Sequence, residues 1–243
     1  MLLAMLAAGV QPALAQSVPD GSPVGKWYLG LSGGTSFGQA TFRSITESKT
    51  NVGAQAGVFG GYQLSRLFAV EGLVTMGWQK QTALDCCPYW LSTDGERTFV
   101  PVLDKQGNYY RDLEAKTQWM RLGLQANFDV LSLITKPGTK WSVTLSPQVS
   151  AVTTRTKHIA TGRSAEGRLQ GKNENEFSRQ WHLGLGGQAA VGYRVARNIG
   201  VQLYGGITCL TGDRFDNIPK HCHKSNFIWE TGLKVSYHFT NNK

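Results

Sequence analysis

The segment Asn226-Phe227-Ile228-Trp229-Glu230-Thr231-Gly232-Leu233-Lys234-Val235-Ser236-Tyr237-His238-Phe239 sorts its side chains by a period of two. Phe227, Trp229, Leu233, Val235, Tyr237 and Phe239 fall on one face, whereas Glu230, Lys234 and His238 fall on the other. Successive side chains of a strand point to opposite faces, so this alternation specifies a β-strand with one greasy and one ionic side.

Seven further segments carry the same pattern: Lys26–Gly38, Val52–Leu64, Leu67–Lys80, Thr117–Val130, Lys140–Thr153, Arg179–Val195 and Ile199–Leu210. Their apolar stripes read, for example, Trp27, Leu29, Leu31 and Phe37 in the first, and Met120, Leu122, Leu124, Ala126 and Phe128 in the fourth. The opposite faces hold Lys26, Glu71, Arg121, His182 and Arg194, padded with Gly, Ser, Thr, Gln and Asn. A soluble sandwich or lipocalin-like barrel would also alternate, with the apolar face turned inward.

Three features separate the two cases. The polar faces are crowded with small residues (Gly30, Ser32, Gly34; Gly53, Gly57, Gly61; Gly184, Gly186, Gly192), which suits a narrow interior, while a watery face would be rich in Lys and Glu. Aromatics collect at both ends of the apolar stripes, with Trp27, Tyr62, Phe68, Phe128, Trp141, Tyr193, Tyr237 and Phe239 at one end. Phe37, Trp78, Trp181, Phe227 and Trp229 gather at the other. Paired aromatic girdles belong at the two boundaries of a membrane. Connections also alternate, short or moderate at 65–66, 129–139 and 196–198 and longer at 39–51, 81–116, 155–178 and 211–225. In hydrocarbon every backbone polar group needs a partner, so a strand-based span has to close on itself. The sequence therefore predicts an all-β fold, an eight-stranded antiparallel up-and-down transmembrane β-barrel over residues 26–239. An even strand count puts both ends of the barrel on the periplasmic side.

Composition agrees by exclusion. With 41% hydrophobic and only 17% charged residues among 243, the chain is not of the disordered class. No internal run of about 20 apolar residues offers a helical span. Its 29 glycines have no G-X-Y period. At the amino terminus, Met1 to Leu14 is apolar and uncharged and closes on Ala13-Leu14-Ala15, a small-x-small pattern that signal peptidase accepts, although no Lys or Arg precedes it. Residues 1–15 are thus expected to be a signal peptide, 16–25 a short periplasmic leader and 240–243 a periplasmic tail.

The stretch Trp229 to Phe239 resembles the closing strand of the small outer-membrane barrels of Gram-negative bacteria. The likeness is to the OmpA membrane domain and OmpX, and to the outer-membrane β-barrel (porin) group common in Bacteroidota. Val70-Glu71-Gly72 resembles a recurring feature of the same family. The resemblance implies that Trp229, Leu233, Val235, Tyr237 and Phe239 form a strand read by the barrel-assembly machinery. Phe239 is followed by Thr240 to Lys243, a mild departure from the strictest form.

An eight-stranded interior is only wide enough for side chains to fill. Glu71, Arg121, Glu230 and Lys234 are accordingly expected to form a luminal ionic network, since unpaired charges there would be costly to desolvate. The functional alternative is a gated ion or proton path lined by the same groups. Gly30-Leu31-Ser32-Gly33-Gly34 matches G-x-S-x-G but sits mid-strand with no helix after it, and Gly184 to Ala189 mimics a dinucleotide fingerprint with the same defect. Neither is read as catalytic, and no enzyme activity or cofactor is expected. His221-Cys222-His223 could hold a soft metal, but adjacent residues point apart; a Cys209–Cys222 disulfide is the preferred reading and no metal is assigned. Consecutive Cys86 and Cys87 stay unassigned, since a vicinal bridge is strained.

The +9 formal charge is concentrated in loops such as 155–179. Expected partners are outer-membrane lipid and lipopolysaccharide, whose phosphates suit Lys and Arg, the assembly machinery during insertion, and an unidentified surface or envelope protein. Nucleic acid does not fit the compartment. The functional expectation is an integral outer-membrane protein with a filled lumen, acting in envelope structure or surface binding through its long loops; the alternative is a narrow channel for ions or small solutes.

Overall fold

A computed structural model describes residues 26–83, 89–92, 97–104, 107–136, 138–160, 175–176, 179–212, 215 and 226–239. Among these residues twelve strands run in chain order: β1 (Lys26–Gln39), β2 (Gly53–Gln63), β3 (Phe68–Thr82), β4 (Trp90–Ser92), β5 (Arg97–Thr98), β6 (Gly107–Tyr109), β7 (Leu113–Asp129), β8 (Trp141–Ala160), β9 (Asn175–Glu176), β10 (Gln180–Arg194), β11 (Ile199–Leu210) and β12 (Asn226–His238). Eight of them, β1, β2, β3, β7, β8, β10, β11 and β12, pair antiparallel with their sequence neighbours. The barrel closes where β1 meets β12, with Leu31 opposite Val235 and Gly34 opposite Gly232. The predicted closed eight-stranded architecture is the one observed.

The side-chain period decides what lies where. Outward positions carry Leu31 at 65% and Leu122 at 62% exposure, while inward positions carry Arg121 at 1% and Glu71 at 3%. Water would reject that arrangement, because apolar area is stabilised by leaving water and ions by staying in it. A surrounding apolar medium reverses the preference, and the outward apolar band supplies the matching surface.

At the end of the barrel bearing the short turns, outward aromatics pack in pairs. Trp27 meets Tyr62 at 5.1 Å between ring centroids, Phe68 meets Phe128 at 5.1 Å, and Trp141 meets Tyr193 at 4.9 Å. The turns are locally tied: Ser65 Oγ accepts the Phe68 N–H at 3.0 Å, and the Asp129 carboxylate accepts from the N–H groups of Leu131 and Val143, each at 3.2 Å. Pro147 sits mid-strand on β8, where it has no N–H to give. The β7–β8 ladder skips that step and resumes in unchanged register at Phe128 opposite Leu145.

Three strands run farther toward the long loops than the apolar stripes suggest. β3 ends at Thr82 rather than Lys80, β7 begins at Leu113 rather than Thr117, and β8 continues to Ala160 rather than Thr153. The outward stripe stops being apolar there, at Lys80, Lys116, Arg155 and Lys157, yet the inward positions Thr154, Thr156 and His158 remain buried. Pairing thus extends above the apolar band. The long connection between β3 and β7, expected to be a loop, contains a small sheet in the order β5-β4-β6.

Residues 1–25 and 240–243, to which the signal peptide, leader and tail are assigned, lie outside the described residues, as do Cys86, Cys87, His221, Cys222 and His223.

Candidate functional site: a charge network across the bore

All four ionic residues singled out in the sequence face the interior, and they meet in two pairs. Arg121 Nη2 donates to both carboxylate oxygens of Glu230, at 3.0 and 2.8 Å. Lys234 Nζ donates to Glu71 Oε1 at 3.2 Å. The pairings run across the bore rather than along its wall. Glu230 and Lys234 are four residues apart on one strand, about 13 Å at ~3.3 Å per residue, too far to touch. Arg121 and Glu71 occupy neighbouring strands, but the register places Gln125 opposite Glu71 and Thr75 opposite Arg121.

Each pair is embedded in neutral partners that the sequence reading passed over. Around Arg121–Glu230, Arg121 Nη1 donates to Thr208 Oγ1 at 3.1 Å, Gln188 Nε2 donates to Glu230 Oε1 at 2.7 Å, and Gln148 Nε2 donates to Thr208 Oγ1 at 3.1 Å. Around Glu71, donors arrive from Tyr28 Oη at 3.0 Å, Gln125 Nε2 at 2.7 Å and Asn127 Nδ2 at 3.0 Å. Lys234 also lies 5.1 Å from the Phe59 ring centroid and 5.3 Å from that of Tyr204, and Arg121 lies 5.5 Å from that of Trp119. Cations over aromatic faces gain from the ring quadrupole. Two cations and two carboxylates leave these pairs electrically balanced, which limits the desolvation cost that isolated charges would carry.

Apolar layers lie above and below. Toward the loops, Ala40, Trp119, Val152, Leu210, Phe215 and Ile228 form a buried cluster. The first long loop folds into the mouth beyond it: Phe42 is fully buried against Tyr110, and Ser44 Oγ accepts the Gly38 N–H at 2.9 Å and donates to the Lys80 carbonyl at 2.9 Å. Toward the turns, Tyr28, Phe59, Ala69 and Leu73 pack together, and a cavity of about 160 Å³ opens past Tyr28, Asn127, Gln202, Ser236 and His238.

Parity along each strand was the signal that would have found Tyr28, Phe59, Trp119, Gln125, Gln148, Gln188, Tyr204 and Thr208, since each lies on the face of its strand opposite the apolar stripe. Ser32, the serine of the G-x-S-x-G match, lies in β1 with Lys234 and Gly57 as its cross-strand neighbours and no helix following it. Cys209 sits on the outward-facing parity of β11, opposite Leu185 and Phe227. Trp229, Leu233, Val235, Tyr237 and Phe239 are all exposed on the outward side of the closing strand. Among the described residues no group of His, Cys, Asp and Glu could hold a metal ion.

Solved structures similar to this chain include three bacterial proteins. Neisserial surface protein A shares 12% identity, with 88% of this chain and 97% of that one covered and a TM-score of 0.49. Ail, the attachment invasion locus protein of Yersinia pestis, shares 9% identity over 89% and 99%, with a TM-score of 0.45. The N-terminal β-barrel domain of Pseudomonas aeruginosa OprF shares 10% over 89% and 98%, with a TM-score of 0.38. No curated protein matches the chain in sequence. The outer membrane protein beta-barrel domain family matches residues 1–242. With an ionic interior, an apolar exterior and a family match along nearly its whole length, the chain belongs to the outer membrane protein beta-barrel domain family.

Proposed function

We propose that this protein is an integral barrel of the Gram-negative outer membrane whose bore is closed, and that it acts at the cell surface through its long loops. Export with cleavage near Ala15 and folding by the barrel-assembly machinery, with β12 as the recognised strand, belong to the same reading. The observation that carries it is the Arg121–Glu230 pair at 2.8 Å, which crosses the full width of the interior. Trp119, Val152 and Ile228 fill the section toward the loops, and buried Phe42 fills the mouth. Passage of a solute would require breaking a buried ion pair, and the loss of one partner of such a pair costs about 3–5 kcal/mol. A closed bore leaves the loop face as the working surface, in envelope structure or in binding a partner.

Conductance measurement on the full chain in planar lipid bilayers tests this. The expected record is silent at potentials the membrane withstands, with insertion verified separately by protection of the barrel from protease. Steady unitary openings from inserted monomers would establish the narrow-channel reading instead.

A further inference from the structure

At the short-turn end the bore widens into a cavity of about 160 Å³ whose charges do not balance. Arg66, Lys140 and Arg194 line it against Glu71 and Asp129, with His238 beside them. Glu71 is neutralised by Lys234 at 3.2 Å. The Asp129 carboxylate accepts the N–H groups of Leu131 and Val143, which hold it in the turn wall. Among the described residues, Arg66, Lys140 and Arg194 make no ion pair and no side-chain hydrogen bond. Three cations against the one carboxylate without a cation of its own leave an excess of two positive charges. The space is blind, because Tyr28, Phe59, Ala69 and Leu73 close its floor. A cleft of one sign between low-dielectric walls focuses its field and concentrates counter-ions.

The backbone holds these cations in two places. Arg66 lies in the turn between β2 and β3. Lys140 directly precedes β8 and Arg194 ends β10, and the Arg194 N–H donates to the Lys140 carbonyl at 2.8 Å. Those two therefore form a single centre. β3, β7 and β8 are consecutive in the barrel wall, so two spacings of ~4.8 Å, about 10 Å of wall, separate the start of β3 from the start of β8. Long side chains that reach into the cavity narrow the gap between the centres. Two separated centres match two separated anionic groups better than one compact anion. A guanidinium also presents a planar fork that fits a carboxylate. An engineered cavity of ~150 Å³ takes benzene, so a space of this size holds a guest of about six to nine non-hydrogen atoms.

We infer that the cavity is a binding site for a small, free dicarboxylate, with one carboxylate on Arg66 and the other on Lys140 and Arg194. The site is separate from the long loops, and the charge network across the bore lies beneath it rather than on a path through it. The periplasm as the source of the ligand rests on the proposed orientation, whereas the site itself does not.

Isothermal titration calorimetry of the full chain in detergent micelles tests it, with the five-carbon dicarboxylate glutarate as the probe. The wild type is expected to bind one glutarate per barrel. Apparent affinity should fall at least tenfold in the variant R66Q/R194Q, and equally for butyrate, which has a single carboxylate. The variant K80Q/K116Q, altered toward the long loops, should bind as the wild type does. Absence of saturable binding to the wild type, undiminished affinity in R66Q/R194Q, or equal affinity for sulfate would overturn the assignment. The heat-modifiable gel shift of each variant reports barrel formation independently, so lost binding is not confused with lost folding. Binding in micelles does not depend on orientation, and its failure therefore stays distinguishable from failure of the closed-barrel reading in the bilayer.

Discussion

Arg121 and Glu230 occupy strands on opposite sides of the barrel, β7 and β12, four places apart in either direction around the order β10-β11-β12-β1-β2-β3-β7-β8. Their contact at 2.8 Å is thus a strut across the diameter. Removing either partner strands the other charge in an interior that is closed at that level. Arg121→Ala and Glu230→Ala are each expected to lower stability by about 3–5 kcal/mol, measured by urea unfolding in lipid vesicles. The double change Arg121→Leu with Glu230→Leu should recover most of that loss, because no uncompensated charge remains. Additive losses in the double variant would argue against a direct pair.

The second pair depends on neutral donors as much as on its cation. Tyr28 Oη donates to Glu71 Oε2 at 3.0 Å, and the hydroxyl also accepts from Asn127 Nδ2 at 3.2 Å. Tyr28→Phe keeps the ring against Phe59 and removes only those bonds. A hydrogen bond to a charged group is worth about 1.5–3 kcal/mol, and the variant should lose an amount in that range. No change in the unfolding midpoint would mean that water replaces the hydroxyl.

Two adjacent glycines on β1 should respond in opposite ways. A methyl group on Gly34 would strike the carbonyl oxygen of Thr231 on the closing strand, whereas one on Gly33 makes only an ordinary contact, with the Gln55 carbonyl at 3.9 Å. Backbone cannot retreat as a flexible side chain can. Gly34→Ala is expected to destabilise by about 1–3 kcal/mol. Gly33→Ala should be neutral or stabilising by up to about 1 kcal/mol through the unfolded chain. The same vesicle unfolding experiment separates the two, and a Gly34→Ala variant as stable as the wild type would show that β1 and β12 do not pack as closely as described.

The outward band predicts a cost that depends on depth. Leu233, opposite Gly33 and Leu203 near the middle of its strand, should lose about 2–4 kcal/mol on replacement by Arg. Leu133, exposed in the single helical turn after β7, should lose almost nothing on the same change. Equal costs at the two positions would remove the case for a bilayer around Leu233.

Much of this was legible from side-chain parity. The outward stripes and the inward placement of Glu71, Arg121, Glu230 and Lys234 follow from a period of two, which no packing detail alters. The identity of the pairs was not legible. It depends on the stagger between strands, and a bond across the bore joins residues with no neighbour relation in sequence, such as Arg121 with Glu230 or Gln55 with Tyr204. Strand ends were misjudged at Lys80, Thr117 and Thr153 for a related reason. Above the membrane the outer face meets water and ceases to be apolar, so only the inner face keeps the pattern. Phe42 and Tyr110, which fill the mouth, lie in segments with no periodicity to read.

The central claim, apolar side outward into lipid and ionic side inward, is tested most directly on β12 itself. Single cysteines at Thr231, Leu233 and Val235, and at Leu133 in the exposed turn after β7, in a background with the four native cysteines changed to serine, can be labelled with an environment-sensitive fluorophore. After reconstitution, quenching by doxyl-labelled lipids should be strong at 231, 233 and 235 and weak at 133. Quenching at 231, 233 and 235 no stronger than at 133 would contradict it.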